Sequence, residues 1–349
     1  EQAEKKSLPQ TVIKLTGEIY QKGEMEKNSP QMLKAYMWRM KYRDMLTPDS
    51  LYTGLQELKQ WAKQADKPMD RAILHSLIAG MYADYAANNQ WQLRQRTEIA
   101  GEAPSADMRE WTANMFVEKV RTNVKEAMAD SVLLLNTSSR TYIPFVELGE
   151  TSEYYHHDMY HLLASRSIEA LQRIQGLDRT TPIEAYSEET SSEKESLVKQ
   201  DIERIYDQML TSYKAKGDKE GCLLTSLNYL NWKHGTSKSF REPFRVKKGG
   251  TYMTFDPYET GLDALKTEYK SLDLCAEVYL AQANNAIGKE QETVALQLCD
   301  EAIRLYPGYR RINALKNLRE DILAPSLNVT AAATAFPGEE IEIRASHKN

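Results

Sequence analysis

The sequence predicts an all-α fold, antiparallel helical hairpins in a tetratricopeptide-like array, with a short β-segment at the C-terminus. Three observations carry this. Apolar residues recur with a period near 3.6 over most of the 349 positions. Proline and glycine are scarce, 12 and 16, and fall between the periodic segments. One stretch, 276–309, has the offsets of a 34-residue helical repeat.

Helices are expected over 8–26, 30–46, 49–65, 69–89, 106–136, 155–175, 193–216, 219–233, 260–287, 290–305 and 308–323. The run Thr47-Pro48-Asp49 breaks one helix and begins the next, with Thr47 or Asp49 placed to accept from the free amides of the new helix. Pro68 and Pro104 punctuate in the same way. In 69–89, Ile73, Leu77, Met81 and Tyr85 recur at i+4, flanked by Ala72, Ala79 and Ala83. In 106–136 the row is Met108, Trp111, Met115, Val120, Val124 and Met128, the pattern of a core-facing stripe. Short links between such helices imply antiparallel neighbours. In 276–309, Tyr279 and Ala283 lie on a first helix, Ala295, Cys299 and Ala302 lie on a second, and Pro307 closes it. Alanine at these positions permits a close backbone approach that a larger side chain would block.

Three stretches break the pattern. Residues 137–154, with Tyr142-Ile143-Pro144 and Gly149, read as an extended linker. Residues 176–192 are polar and acidic and read as a solvated loop. Residues 234–259 carry Phe240, Phe244 and Val246, then Gly249-Gly250, then Tyr252, Met253 and Phe255, which reads as a projecting β-hairpin. Its first arm is basic, through Lys233, Lys238, Arg241, Arg245, Lys247 and Lys248. Lys238, Arg241, Arg245, Lys247 and Lys248 are the candidate contact for an acidic partner surface. After Pro325, Leu327-Asn328-Val329-Thr330 and Ile341-Glu342-Ile343-Arg344 read as two strands around a turn. Two strands alone make no stable sheet, so this segment is expected to begin a β-domain that continues past Asn349. The expected organisation is a first helical array at 1–136, a second at 137–325 that includes the hairpin insertion at 234–259, and the start of the β-domain at 326–349.

Composition narrows the function. A 41% apolar and 27% charged chain is globular rather than disordered. A net charge of -5 with both signs interspersed argues against a nucleic-acid partner. No apolar run nears the roughly 20 residues of a membrane span, and the longest, Val132-Leu133-Leu134-Leu135, reads as helix core. The chain begins at Glu1, so the lack of a leader says nothing about export. Cys222, Cys275 and Cys299 fit neither a disulfide framework nor a zinc spacing and read as buried thiols.

The one polar constellation is His156, His157, Asp158 and His161. On a helix His157 and His161 would be i and i+4, sharing a face that could hold a metal. The glutamate of a His-Glu-x-x-His site is missing, because Asp158, Met159 and Tyr160 intervene. Asp158 is accounted for by the helix dipole. No phosphate-binding glycine loop and no Gly-x-Ser-x-Gly elbow occurs, and Glu188-Glu189 and Glu339-Glu340 sit in polar loops. No cofactor and no catalytic residue is expected.

The run Tyr306-Pro307-Gly308-Tyr309-Arg310-Arg311-Ile312-Asn313-Ala314-Leu315-Lys316, then Pro325-Ser326-Leu327-Asn328-Val329 and Phe336-Pro337-Gly338-Glu339, resembles large alpha-2-macroglobulin-like proteins of Bacteroidetes-type bacteria. So does Tyr154-Tyr155-His156-His157-Asp158-Met159-Tyr160-His161-Leu162-Leu163. The resemblance covers nearly the whole chain. It implies a helical N-terminal region that hands over to a macroglobulin-type β-sandwich, here truncated, in an exported envelope or periplasmic protein of the endopeptidase-inhibitor type. The Cys-x-Glu-Gln thioester of such proteins is missing, because Cys275-Ala276-Glu277 is followed by Val278.

The leading expectation is a non-catalytic scaffold whose partner is another protein or the following domains of its own polypeptide. Two rivals differ in class. An outer-membrane helical-repeat carbohydrate-binding protein would show Trp91, Trp111 and Trp232 clustered on its surface. A metal-dependent hydrolase would be built on His157 and His161.

Overall fold

The computed structural model describes residues 8–47, 50–96, 105, 107–149, 152–155, 157–178, 196–248, 251–331, 334, 338 and 343–348. Asp49, Pro104, His156, Glu188, Glu189, Gly249, Gly250 and Ile341, and most of the 176–192 loop, lie outside them. The chain is mainly helical with a few short antiparallel strands. It divides into two compact units, Glu1–Asp218 and Lys219–Asn349. The boundary expected after residue 136 falls inside the first.

The first unit begins with the hairpin of α1 (Pro9–Met25) and α2 (Ser29–Leu46). A proline opens each helix, where its missing amide costs nothing. Asn28 caps α2 by accepting from the Gln31 amide at 3.2 Å. Then come α3 (Ser50–Gln64), α4 (Pro68–Asn88), α5 (Gln90–Gln95), α6 (Ala113–Ala127), α7 (Ser131–Asn136), α8 (Met159–Ile174) and α9 (Leu197–Lys216). Helix α4 is the hub and packs on α3, α6 and α8. Its buried surface goes beyond the expected row: Leu74, Ile78, Tyr82 and Ala86 are buried while Leu77 and Tyr85 stay partly exposed. A helix enclosed on several sides is apolar around much of its circumference, which an i+4 row understates.

Two expectations in this unit are corrected. The segment 106–136 is a turn at Met108–Glu110 followed by α6 and α7, because the Asp130 side chain accepts from the Leu133 amide at 2.9 Å and starts a new helix. Of the run 132–135 only Leu134 is buried, and Val132 is exposed. The segment 137–149 is not an extended linker. Ser139, Tyr142 and Val146 are buried, and the Tyr142 hydroxyl donates to buried Asp70 at 2.7 Å. Asp70 also accepts from Ser29 at 2.5 Å, so one carboxylate ties this segment to α2 and α4. Burial beside that carboxylate pushes the Tyr142 phenol up. At the end of α9, Gly217 takes φ +68, the left-handed closure that glycine adopts without Cβ strain.

The second unit holds α10 (Lys219–Thr236), α11 (Lys238–Arg241), β1 (Phe244–Lys248), β2 (Thr251–Phe255), α12 (Pro257–Glu268), α13 (Ala276–Gly288), α14 (Glu292–Leu305), α15 (Ile312–Leu323), β3 (Ser326–Ala331) and β4 (Ile343–Lys348). The hairpin is narrower than 234–259, since Phe240 sits on α11. The stretch expected as one helix over 260–287 is two. Leu272 is extended, and Leu274 and Cys275 are buried in the turn after it. Anchoring these two side chains outweighs helical continuity. Gly261 lets α12 approach α10, because a Cβ there would stand 2.8 Å from both Leu230 methyl carbons.

Helices α13 and α14 form a tight hairpin, and α15 packs on α14. Ala283, Ala295, Cys299 and Ala302 are fully buried between them, and Tyr279 is almost so. Tyr306 meets Tyr279 edge-on at 5.9 Å and donates to the Lys270 carbonyl at 3.0 Å. All three cysteines are buried free thiols. Between α12 and α13 runs a polar ladder. Buried Gln282 donates to Asp263 at 2.8 Å and accepts from Lys266 at 3.0 Å, while Lys289 donates to Asp256 at 2.7 Å.

Candidate functional site

The histidine constellation is ordered by a helix cap. Asp158 is extended, and its Oδ1 accepts from the His161 amide at 2.8 Å, so α8 begins at Met159. His157 therefore precedes the helix. Its carbonyl accepts from the Ser139 amide at 2.8 Å, and it shares no helical face with His161. Asp158 acts as the capping residue rather than as a first-turn acid. Its Oδ2 also accepts from Lys216 of α9 at 2.5 Å.

The His161 ring stacks on Tyr155 with centroids 4.0 Å apart, and its Nδ1 is hydrogen-bonded to the Tyr213 hydroxyl. Burial pushes the imidazole down to about 4, against the opposing pull of Asp158 and Asp218. It also drives the Tyr213 phenol upward. His161 is thus a neutral packing residue at neutral pH. His157, Asp158 and His161 border an open cleft of about 210 Å³. Among the described residues, no group of three or more His, Cys, Asp or Glu side chains is arranged to hold a metal ion.

The five basic candidates do not form one patch. Lys238 and Arg241 lie on α11, where Lys238 faces Glu242 at 3.8 Å and Arg241 donates to the Gly235 carbonyl at 2.7 Å. Arg245 and Lys247 lie on β1, opposite Thr254 and Tyr252, with the Lys247 ammonium 5.7 Å from the Tyr252 ring centre. Lys248 pairs with Thr251 at the end of the ribbon, and its side chain lies outside what the structure describes.

That register gives the hairpin two characters. One face carries Arg245, Lys247, Tyr252 and Thr254. The other carries Phe244, Val246, Met253 and Phe255, all exposed, with the two phenylalanine rings 5.2 Å apart. The C-terminal ribbon repeats the division. Val329 pairs with Ala345 and Ala331 with Ile343, so one face is Leu327, Val329, Ala331, Ile343 and Ala345. Leu327 is 71% exposed, Val329 54% and Ile343 65%. Alternation in the sequence announced both ribbons, but only the register shows that their apolar faces are bare.

The tryptophans do not cluster. Trp91 is 76% exposed, while Trp111 and Trp232 are buried. A groove of about 990 Å³ lies in the first unit between α6–α7 and α9. Its α9 wall is polar, from Gln200 to Thr211. No helix among the described residues is long and apolar enough to cross a membrane.

Fold and surfaces together define a helical-hairpin protein with two exposed amphipathic β-ribbons. In the comparisons with known proteins, no family model, no curated protein and no solved structure matches the chain.

Proposed function

We propose that this chain is a non-catalytic scaffold that docks protein through β-surfaces of its second unit. The observation that carries the reading is the bare apolar face of β3–β4. An isolated two-stranded ribbon is marginal in water, and exposed apolar side chains contiguous on one face are the mark of a surface that another protein covers. The occupant is a β-domain of the same polypeptide, of the macroglobulin type that the sequence resembles. The helical hairpins position it. The burial of Ala283, Ala295, Cys299 and Ala302 between α13 and α14 supports tetratricopeptide-like packing there. The same resemblance supports a location in the cell envelope or periplasm, in a molecule of the endopeptidase-inhibitor type. The engagement of His161 with Tyr155 and Tyr213 supports a packing role and leaves the hydrolase reading without its ligand pair.

The test is capture from an envelope extract with three baits: the wild-type chain, a Leu327→Ser/Val329→Ser/Ile343→Ser triple variant, and a chain lacking 244–255. Loss of a macroglobulin-type partner with the triple variant alone is the expected result. Equal capture by the wild-type and triple-variant baits would remove the ribbon from the proposal. No capture by any bait would reduce the chain to a spacer.

A further inference from the structure

The hairpin β1–β2 offers a surface of its own, separate from β3–β4. From Lys233 to Phe255 the sequence holds six basic residues and one acid, Glu242, in a chain whose net charge is -5. Arg245 and Lys247 are exposed and make no ion pair among the described residues. On the opposite face Phe244 is 47% exposed, Val246 41%, Met253 58% and Phe255 39%. Among the described residues the two strands pack chiefly on each other.

Such a ribbon carries apolar groups and cations back to back. A single protein surface that covers Phe244, Val246, Met253 and Phe255 leaves Arg245 and Lys247 turned to solvent. A lipid interface takes both, because its phosphates lie above the acyl chains and surround whatever settles between them. The apolar face meets the acyl boundary, and the long stems of Arg245 and Lys247 carry their charges back to the phosphates. Tyr252, opposite Lys247 and exposed, has the apolar ring and polar tip that suit this depth. Lys238 and Arg241 on α11 extend the charge beyond the ribbon. Cations spread over two elements match a layer of headgroups better than they match one acidic side chain. Each basic residue near an anionic membrane surface strengthens binding about fivefold.

We infer that the hairpin β1–β2 docks on an anionic phospholipid surface, its apolar face laid into the interface and its basic face among the headgroups. This goes beyond the protein docking assigned to β3–β4 and does not depend on it.

The full chain is sedimented at low salt with vesicles of phosphatidylcholine alone and with vesicles of equal parts phosphatidylcholine and phosphatidylglycerol. Binding to the anionic vesicles is expected, about tenfold or more tighter than to the neutral ones, with release as added salt screens the charges. Phe244→Ser/Phe255→Ser should weaken it about tenfold or more, and so should Arg245→Gln/Lys247→Gln. Circular dichroism melting of each variant checks that the helices are intact. The Leu327→Ser/Val329→Ser/Ile343→Ser chain should bind vesicles as the wild type does, whatever becomes of its protein capture. The salt titration of the wild-type chain tests the charge without any variant. No association with anionic vesicles at low salt overturns the proposal and hands the hairpin to an acidic protein partner. Equal binding to both vesicles, or loss of binding in the β3–β4 variant alone, also overturns it.

Discussion

At the scale of the residue, the informative positions are small or buried ones. Ala283 is fully enclosed between helices. Ala283→Leu forces extra methylenes into a packed contact and is expected to cost about 1–3 kcal/mol by urea denaturation. A neutral result would show that α13 and α14 are not in close contact there. His161 supplies a pH dependence with a definite sign. Its folded pKa is about 4 against an ordinary 6.5, so the unfolded chain binds the proton more tightly. The stability tied to its neutral form is complete above pH 6.5 and is lost as pH falls towards 4. The span is on the order of 3 kcal/mol. His161→Gln should flatten the stability curve between pH 7 and pH 4.5, and an unchanged slope would assign the acid loss to other groups. Sequence reading placed the alanines and the cysteines correctly because small residues at helical spacing have one common use. It paired His157 with His161 because nothing in periodicity says that Asp158 caps the helix between them.

At the scale of the element, local competition decides the boundaries. Asp158 both caps α8 and binds Lys216. Asp158→Ala should lower stability by about 1–3 kcal/mol, and Asp158→Asn, which keeps the cap and loses the charge, by less. Equal losses would mean that the ion pair alone matters. The helices legible in the sequence were those with a long, uninterrupted 3.6 period and a proline or capping residue at the start, such as α1, α2 and α4. The hairpin was legible from the alternation of Phe244, Val246, Met253 and Phe255. The breaks after Ala127 and Glu268 were not, because the apolar spacing runs through both. There the Asp130 cap, and the burial of Leu274 and Cys275, act through contacts that spacing does not encode.

At the scale of the whole molecule, the two units are built differently. The first has the deeper core, organised on α4, and the second carries both ribbons. Deleting 327–345 should leave the melting temperature of the helical part nearly unchanged, because Leu327, Val329 and Ile343 are largely exposed. A fall of many degrees by calorimetry would show that the ribbon packs into the helices. The same ribbon has a further consequence. Among the described residues each of its two strands has one neighbour only, so both edges offer amides and carbonyls to a further strand. An apolar strand with a free edge recruits strands indiscriminately, including those of its own copies. Left uncovered, that face makes the chain a candidate for slow self-association through β3–β4, and the speed with which it meets a partner would govern how much of the protein survives in useful form.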